Sequence, residues 1–269
     1  MNSRRDVLKA AALTGIATAC GRGPMLEPLP PELPTAEAGR GPRWERLAAK
    51  EPERLADLPE ASHFPLGISS GDVSKDGIVL QCRYSGAAPL ELRVWSHARM
   101  LKLPVTPADY GFVHAFVTGL EADAVHWYAF VELGSPEQRS PIGRFRAALA
   151  DEAMRPLIFG ATSCTDMAND LSALRHASAR EDLDAFFLLG DTTYADGAST
   201  PQQYRDKWEA SIGRPLYRAL RAQVPLVATW DDHEVDNDWN PELIGQTKLA
   251  NARAAFFEHL PVRRDQADP

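Results

Sequence analysis

Three short apolar runs in the second half of the chain each empty into residues that can bind a cation or move a proton. Residues 157–161 end at Thr162-Ser163-Cys164-Thr165-Asp166, residues 185–189 at Gly190-Asp191-Thr192-Thr193-Tyr194, and residues 225–230 at Asp231-Asp232-His233-Glu234. Runs of this length with no polar alternation read as strands buried on both faces. Helical patterns lie between them, over about 171–181 and 202–223, the second with Pro201 at its start. Strands alternating with helices imply a largely parallel, covered sheet. Parallel strands bring their C-terminal ends to one edge, where α/β proteins build ligand sites. Any one of these endings could be a polar turn. Three in succession predict that topology gathers Cys164, Asp191, Tyr194, Asp232 and His233.

The chemistry of that set suits a pair of highly charged cations. Asp191 offers two oxygens and can bridge two ions. A phenolate from Tyr194 and a thiolate from Cys164 both require deprotonation, which a trivalent ion such as Fe³⁺ would favour. The carboxylates suit Ca²⁺ or another oxygen-loving ion. Two ions so held would polarise a phosphoryl oxygen and activate water for in-line attack. His233 would stabilise the transition state or protonate the leaving alkoxide.

The first half has a different rhythm. Over 61–148, short alternating or β-branched runs at 78–84, 90–95, 112–117 and 125–133 are separated by turn signals such as Ser85-Gly86-Ala87-Ala88-Pro89. Strands at this spacing predict a small sandwich of the immunoglobulin or fibronectin kind. Tyr128, following Leu120, suggests a tyrosine corner. His97, His114 and His126 have no carboxylate company and read as surface or strand-face residues. Cys82, within a strand run, reads as a small buried apolar residue.

Ahead of this unit, Ser3-Arg4-Arg5-Asp6-Val7-Leu8-Lys9 and the apolar stretch from Ala10 to Ala19 read as a twin-arginine export signal. The expected destination is the periplasm or cell envelope, with the twin-arginine machinery as a partner. Ala17-Thr18-Ala19-Cys20 allows either a lipid anchor at Cys20 or ordinary cleavage near Ala19. Residues 1–20 are thus a leader and 21–60 a linker containing eight prolines, an extended tether. A short helix is expected over 44–58, with Trp44, Leu47, Leu55 and Leu58 as its apolar contacts. The net charge of −8 argues against a nucleic-acid-binding surface. No apolar run reaches the roughly 18 residues that span a bilayer. Three cysteines are too few for a disulfide framework.

Gly190-Asp191 with Tyr194, Trp230-Asp231-Asp232-His233-Glu234 followed by Asn237, and Ser163-Cys164 together resemble the alkaline phosphatase D (PhoD-like) branch of the metallophosphoesterases. Gly67-Ile68-Ser69-Ser70-Gly71-Asp72 and Gly143-Arg144-Phe145-Arg146 resemble the start and end of that family's N-terminal domain, so the likeness covers about 62–264. It implies a ferric ion on Cys164 and Tyr194, Asp191 as the bridge, and calcium on Asp232, and gives Asp231 no role by position. Twin-arginine export is usual in the family. Gly190-Asp191-Thr192-Thr193-Tyr194 departs from the commoner Gly-Asp-Tyr-Ile-Tyr at two positions while keeping Asp191 and Tyr194.

The family pattern also continues into a further C-terminal half, with a Gly-Asp-x-His-type segment. This sequence stops at Pro269, soon after residues 256–263, which resemble the family's middle. His259, on a helical pattern, reads as structural. The expected architecture is an N-terminal all-β sandwich over 61–148, followed by a partial α/β metallophosphoesterase domain over 153–269 with an exposed sheet edge and apolar surface. The expected function is an exported metal-dependent hydrolase of phosphoesters. The alternative is an envelope binding or remnant protein without turnover.

Overall fold

The computed structural model describes residues 43–263 apart from residue 76; the leader, Cys20 and the Pro-rich stretch up to residue 42 lie outside the described residues. Strand β1 (Glu45–Arg46) precedes helix α1 (Glu51–Asp57). The helix expected over 44–58 is therefore confined to its second half. Trp44 instead donates its indole N–H to the Thr118 carbonyl at 3.0 Å. Leu55 buries its side chain among Trp95, Met100, Ala129 and Val131.

Eight strands follow: β2 (Ile68–Gly71), β3 (Gly77–Arg83), β4 (Leu90–Trp95), β5 (Arg99–Val105), β6 (Phe112–Thr118), β7 (Val125–Glu132), β8 (Gln138–Arg139) and β9 (Gly143–Arg146). One sheet runs β1-β5-β4-β7-β8, with β9 also on β7. The other runs β6-β3-β2 and continues through β12 (Leu226–Thr229) and β11 (Ala185–Leu189) to β10 (Phe159–Thr162) at its edge. Antiparallel and parallel strands thus share a single sheet, joined where Leu226 faces Gly71. That approach requires glycine, since a Cβ on Gly71 would lie 2.6 Å from the Leu226 carbonyl oxygen. The sequence reading passed over β5, whose run is broken by Lys102 and Pro104.

Which side of each strand is apolar fixes the layers. Ile68, Ile78, Leu80, Cys82, Val113 and Val117 pack towards the first sheet, against Leu92, Val94, Phe130 and Phe145. Tyr128 joins this core from mid-strand. Its buried hydroxyl makes no bond to the backbone, so it forms no tyrosine corner; the carbonyls around a mid-strand residue are already committed to the ladder. The opposite face of the mixed sheet, with Phe186, Leu188 and Leu226, is covered by helices α2 (Ser172–Ser178), α3 (Pro201–Ile212), α4 (Pro215–Gln223) and α5 (Gln246–His259) through Leu174, Trp208, Tyr217, Leu220 and Phe256.

The helical pattern over 202–223 is two helices because Pro215 interrupts it. Arg214 before it is extended (φ −59°, ψ 140°), as a residue preceding proline prefers. At the start of α3, Thr200 and Gln203 form a reciprocal capping box, with Pro201 in the first turn.

Arg221 of α4 binds this assembly together from within. It is buried, and its guanidinium donates to the Leu66 carbonyl at 3.0 Å, Gln81 Oε1 at 3.2 Å and Ser69 Oγ at 3.3 Å. Burial pulls its pKa down to about 10, which leaves it charged at neutral pH. Gln81 in turn donates to the Glu258 carbonyl on α5. Arg221→Met should fill the space yet orphan these acceptors, lowering the urea midpoint by an amount equivalent to roughly 2–4 kcal/mol. An unchanged midpoint would show that the network adds nothing.

Candidate metal centre

The loops that follow β10, β11 and β12 are stitched to one another before any ligand is considered. Glu234, only 1% exposed, supplies the stitch. Its Oε1 accepts the Thr192 N–H at 2.5 Å and the Thr193 N–H at 3.4 Å; its Oε2 accepts the Asp231 N–H at 2.9 Å and the Asp191 N–H at 3.1 Å. Burial pushes its pKa above the usual carboxylate range, against the pull of those four amides. The loop after β10 joins through the Thr165 N–H, which donates to the Asp191 carbonyl at 2.9 Å, and the Cys164 N–H, which donates to the Gly190 carbonyl at 3.3 Å.

Contact between the loops is close. Gly190 has φ +91°, and a Cβ there would lie 2.6 Å from the Asp231 Cβ. Asp191 and Cys164 both have φ of 54°, the left-handed region. For residues with a Cβ such backbone persists only where its surroundings over-determine it. Two candidate ligands are therefore held in conformations that isolated loops would leave.

Asp191 is the hub. Its Oδ2 accepts from the Tyr194 hydroxyl at 3.4 Å and from the Cys164 thiol at 3.5 Å, while its Oδ1 is buried without a partner. Ligand atoms of Asp191, Asp232 and His233 all lie within 4.8 Å of one another. All five residues singled out from the sequence thus meet around one carboxylate. Asp232 accepts the Asp238 N–H at 2.6 Å and the His233 N–H at 3.0 Å. The Asp238 bond foremost holds its carboxyl below the usual range. Asp231, given no role by position, donates its N–H to Glu234 and packs against Gly190.

The residues fit a cation. An orphaned buried carboxylate oxygen is costly, and this one stands among a thiol, a phenol, a second carboxylate and an imidazole. Without a cation the phenol is disfavoured as a phenolate: burial, then the charges of Asp191 and Cys164, push the Tyr194 pKa well up.

Sequence reasoning missed two participants. Asp196 holds the ring of His233, with both carboxylate oxygens 2.9 Å from Nδ1, and also accepts the Asn237 N–H at 2.7 Å. A carboxylate only accepts, so Nδ1 carries the proton and Nε2 is left to face a ligand. The ring of Tyr194 packs on the same imidazole, with centroids 4.1 Å apart. Burial pulls the His233 pKa down, but the bond to Asp196 and the charges of Asp196, Asp191 and Asp232 outweigh it and hold the value up. Asp196 follows Tyr194 by two positions with no motif to mark it. Glu234 was visible as part of a polar cluster, but its backbone partners were not.

The other histidines lie elsewhere. His259 is buried on α5, where its Nδ1–H donates to the Ala255 carbonyl at 2.7 Å, with burial pulling its pKa down to about 3. His114 meets the Leu260 carbonyl at 3.1 Å, and His126 stacks on Phe145.

Two measurements follow from this geometry. Glu234→Ala should strand four buried amides, destabilising the chain by roughly 3 kcal/mol or more and accelerating hydrogen exchange at residues 191–193 and 231; unchanged exchange would remove Glu234 as the stitch. In the metal-free chain, the raised pKa of His233 gives stability that is complete below the unfolded value of about 6.5 and lost as pH rises through the folded value. The melting temperature should decline over that window, and Asp196→Asn should flatten the decline.

Comparison with known proteins accords with this arrangement. The PhoD-like phosphatase family model matches residues 159–269, and the model of the PhoD-like phosphatase N-terminal domain matches residues 48–149. The chain is 28% identical over 251 residues to alkaline phosphatase D of Bacillus subtilis (strain 168), covering 76% of this chain and 42% of that protein. A solved structure of PhoD superposes with a TM-score of 0.67 at 26% identity, over 76% of this chain and 47% of that one. A purple acid phosphatase from yellow lupin (Lupinus luteus) seeds shares the fold at 14% identity, with a TM-score of 0.57 over 74% of this chain and 40% of that one. The chain thus spans less than half the length of these relatives. With both domains matched in order along its length, it belongs to the PhoD-like phosphatase family.

Proposed function

We propose that this chain carries one wall of the active site of an exported, cation-dependent phosphoester hydrolase. The observation that carries the reading is the meeting of Cys164, Tyr194, Asp232 and His233 around Asp191, whose Oδ1 is buried and unpaired. Cys164 and Tyr194 would hold Fe³⁺, Asp191 would bridge, and Asp232 would hold the second ion, Ca²⁺. Bound there, the ions would supply Lewis acidity towards the phosphoryl group and its attacking water.

The chain's own charges support dependence on a cation. Asp191, Asp196, Asp231, Asp232 and Asp238 crowd the loop ends, and a phosphoester anion would be repelled from them unless positive charge is bound. Asp196 fixes the orientation of His233, so that Nε2 is the nitrogen available to stabilise or protonate at the leaving oxygen. Glu234 keeps the ligand loops in register while the ions come and go.

The twin-arginine leader would carry the folded chain to the periplasm or cell envelope, processed either by ordinary cleavage near Ala19 or with Cys20 as a lipid anchor. The 42% coverage of the Bacillus relative favours a second reading for residues 1–269 alone, an envelope binding or remnant protein built on the N-terminal sandwich, without turnover.

The test is metal loading followed by hydrolysis of p-nitrophenyl phosphate and bis-p-nitrophenyl phosphate. Asp191→Asn should lower cation affinity at least about tenfold and remove any hydrolysis. With Fe³⁺ bound, a visible charge-transfer band should appear and be lost in Tyr194→Phe. Cation binding that survives Asp191→Asn, or a colourless iron-loaded protein, would sink the assignment.

A further inference from the structure

Thr193 is one of the two residues by which Gly190-Asp191-Thr192-Thr193-Tyr194 departs from the commoner form. It is buried, donates its hydroxyl to the Lys207 carbonyl at 3.0 Å and meets Ser211 Oγ at 2.8 Å, both on α3. With the Thr193 proton committed to Lys207, Ser211 is the donor of the second bond. Isoleucine at this position could make neither. The residue beside Tyr194 is thereby tied to the C-terminal half of α3. On the other loop, the residue beside Cys164 is tied as firmly. Thr165 Oγ1 shares its proton between the Asp191 and Thr192 carbonyls, at 3.2 and 3.3 Å, and accepts from the Tyr217 hydroxyl on α4 at 2.6 Å. Arg214 lies in the bend between the two helices, kept out of helical backbone by Pro215. It donates from Nη2 to the Thr165 carbonyl at 2.7 Å, from Nη1 to the Asp166 carbonyl at 3.1 Å and from Nε to the Ser211 carbonyl at 3.0 Å.

One elbow, residues 207–217, therefore grips the neighbours of both Cys164 and Tyr194. Asp232, by contrast, is held by the Asp238 and His233 amides of its own loop. We propose that the elbow sets the spacing of Cys164 and Tyr194, with Thr193 and Arg214 as positioning residues for the ion that those two side chains share. The inference rests on the reading above, in which Cys164 and Tyr194 hold one ion and Asp232 the other. Its physical basis is the rigidity of the parts. A planar guanidinium holds three carbonyls in one fixed geometry, which the single ammonium of a lysine does not reproduce. The Thr193 bonds are buried, so deleting the hydroxyl leaves Ser211 and the Lys207 carbonyl unsatisfied and frees the loop to shift. Neither residue touches the ion. Their loss should disturb one ion and spare the other, an asymmetry that a general loss of stability would not produce.

The test uses the full chain and its Thr193→Val, Thr193→Ser and Arg214→Lys variants, with Fe³⁺ and Ca²⁺ binding read separately. Thr193→Val and Arg214→Lys should each weaken Fe³⁺ binding roughly tenfold or more, move the phenolate-to-iron absorption band, and leave Ca²⁺ affinity as it is. Thr193→Ser keeps the hydroxyl and should retain the parent band and affinity. In the cation-free chain, the Cys164 and Thr165 amides, which bond to the Gly190 and Asp191 carbonyls, should exchange roughly tenfold faster or more in Arg214→Lys. The Asp231 amide, held by Glu234, should exchange as in the parent. An Fe³⁺ affinity and band untouched by the variants, equal losses for the two ions, serine no better than valine, or unchanged exchange at Cys164 and Thr165 would each overturn the proposal. Should Arg214→Lys fail to fold, the valine and serine variants at 193 decide it alone. Absence of Fe³⁺ binding by the parent chain would instead overturn the ion assignment on which the proposal rests.

Discussion

The candidate site depends on one buried carboxylate whose oxygens accept backbone amides. Glu234 spends its negative charge on four backbone N–H groups drawn from two loops 40 positions apart in sequence. Those loops carry Asp191 on one side and Asp231, Asp232 and His233 on the other. An anion satisfied by amides alone is stable inside a protein only if several converge on it. The same convergence removes the freedom of the loops to move apart. The third loop, with Cys164, is then fastened to the Asp191 loop by main-chain bonds. Ligand geometry is thus a property of backbone, set before the ligand side chains choose rotamers.

What could be read from the sequence, and what could not, follows from how local each cause is. Strand-terminal ligands are local: Gly190-Asp191 and Asp232-His233 follow their apolar runs within a few positions, so the gathering of Cys164, Asp191, Tyr194, Asp232 and His233 was legible. The break in the long helical stretch is also local, residing in Pro215, though the periodicity on either side masks it. Glu234 and Asp196 were not legible because their partners are backbone amides and an imidazole some 40 residues away. Nor did any local pattern announce that β2 would pair with β12, since the pairing turns on a single missing side chain at Gly71.

The joining of the two strand systems gives the sheet an unusual division of labour. Its antiparallel half is covered on both sides and held from within by Arg221, which reaches Leu66, Ser69 and Gln81 together. Its parallel half carries the candidate ligands at its strand ends and, among the described residues, packs against helices on one face. Rigidity thus resides next to the site instead of around it. The rigid half also aligns the start of β12 through Leu226 and Gly71, and so sets where Asp231 to Glu234 emerge.

The left-handed backbone at Cys164 and Asp191 has a consequence for anyone moving this site to another scaffold. Grafting five side chains onto equivalent strand ends would reproduce the composition without the conformation, because neither candidate ligand would adopt positive φ unaided. The transferable unit is three loops together with Glu234 and the glycine at 190. The cost of losing Glu234 is likewise shared: a substitution there strands amides of the Asp191 and Asp231 loops together, and through the Asp191 loop loosens the one that carries Cys164.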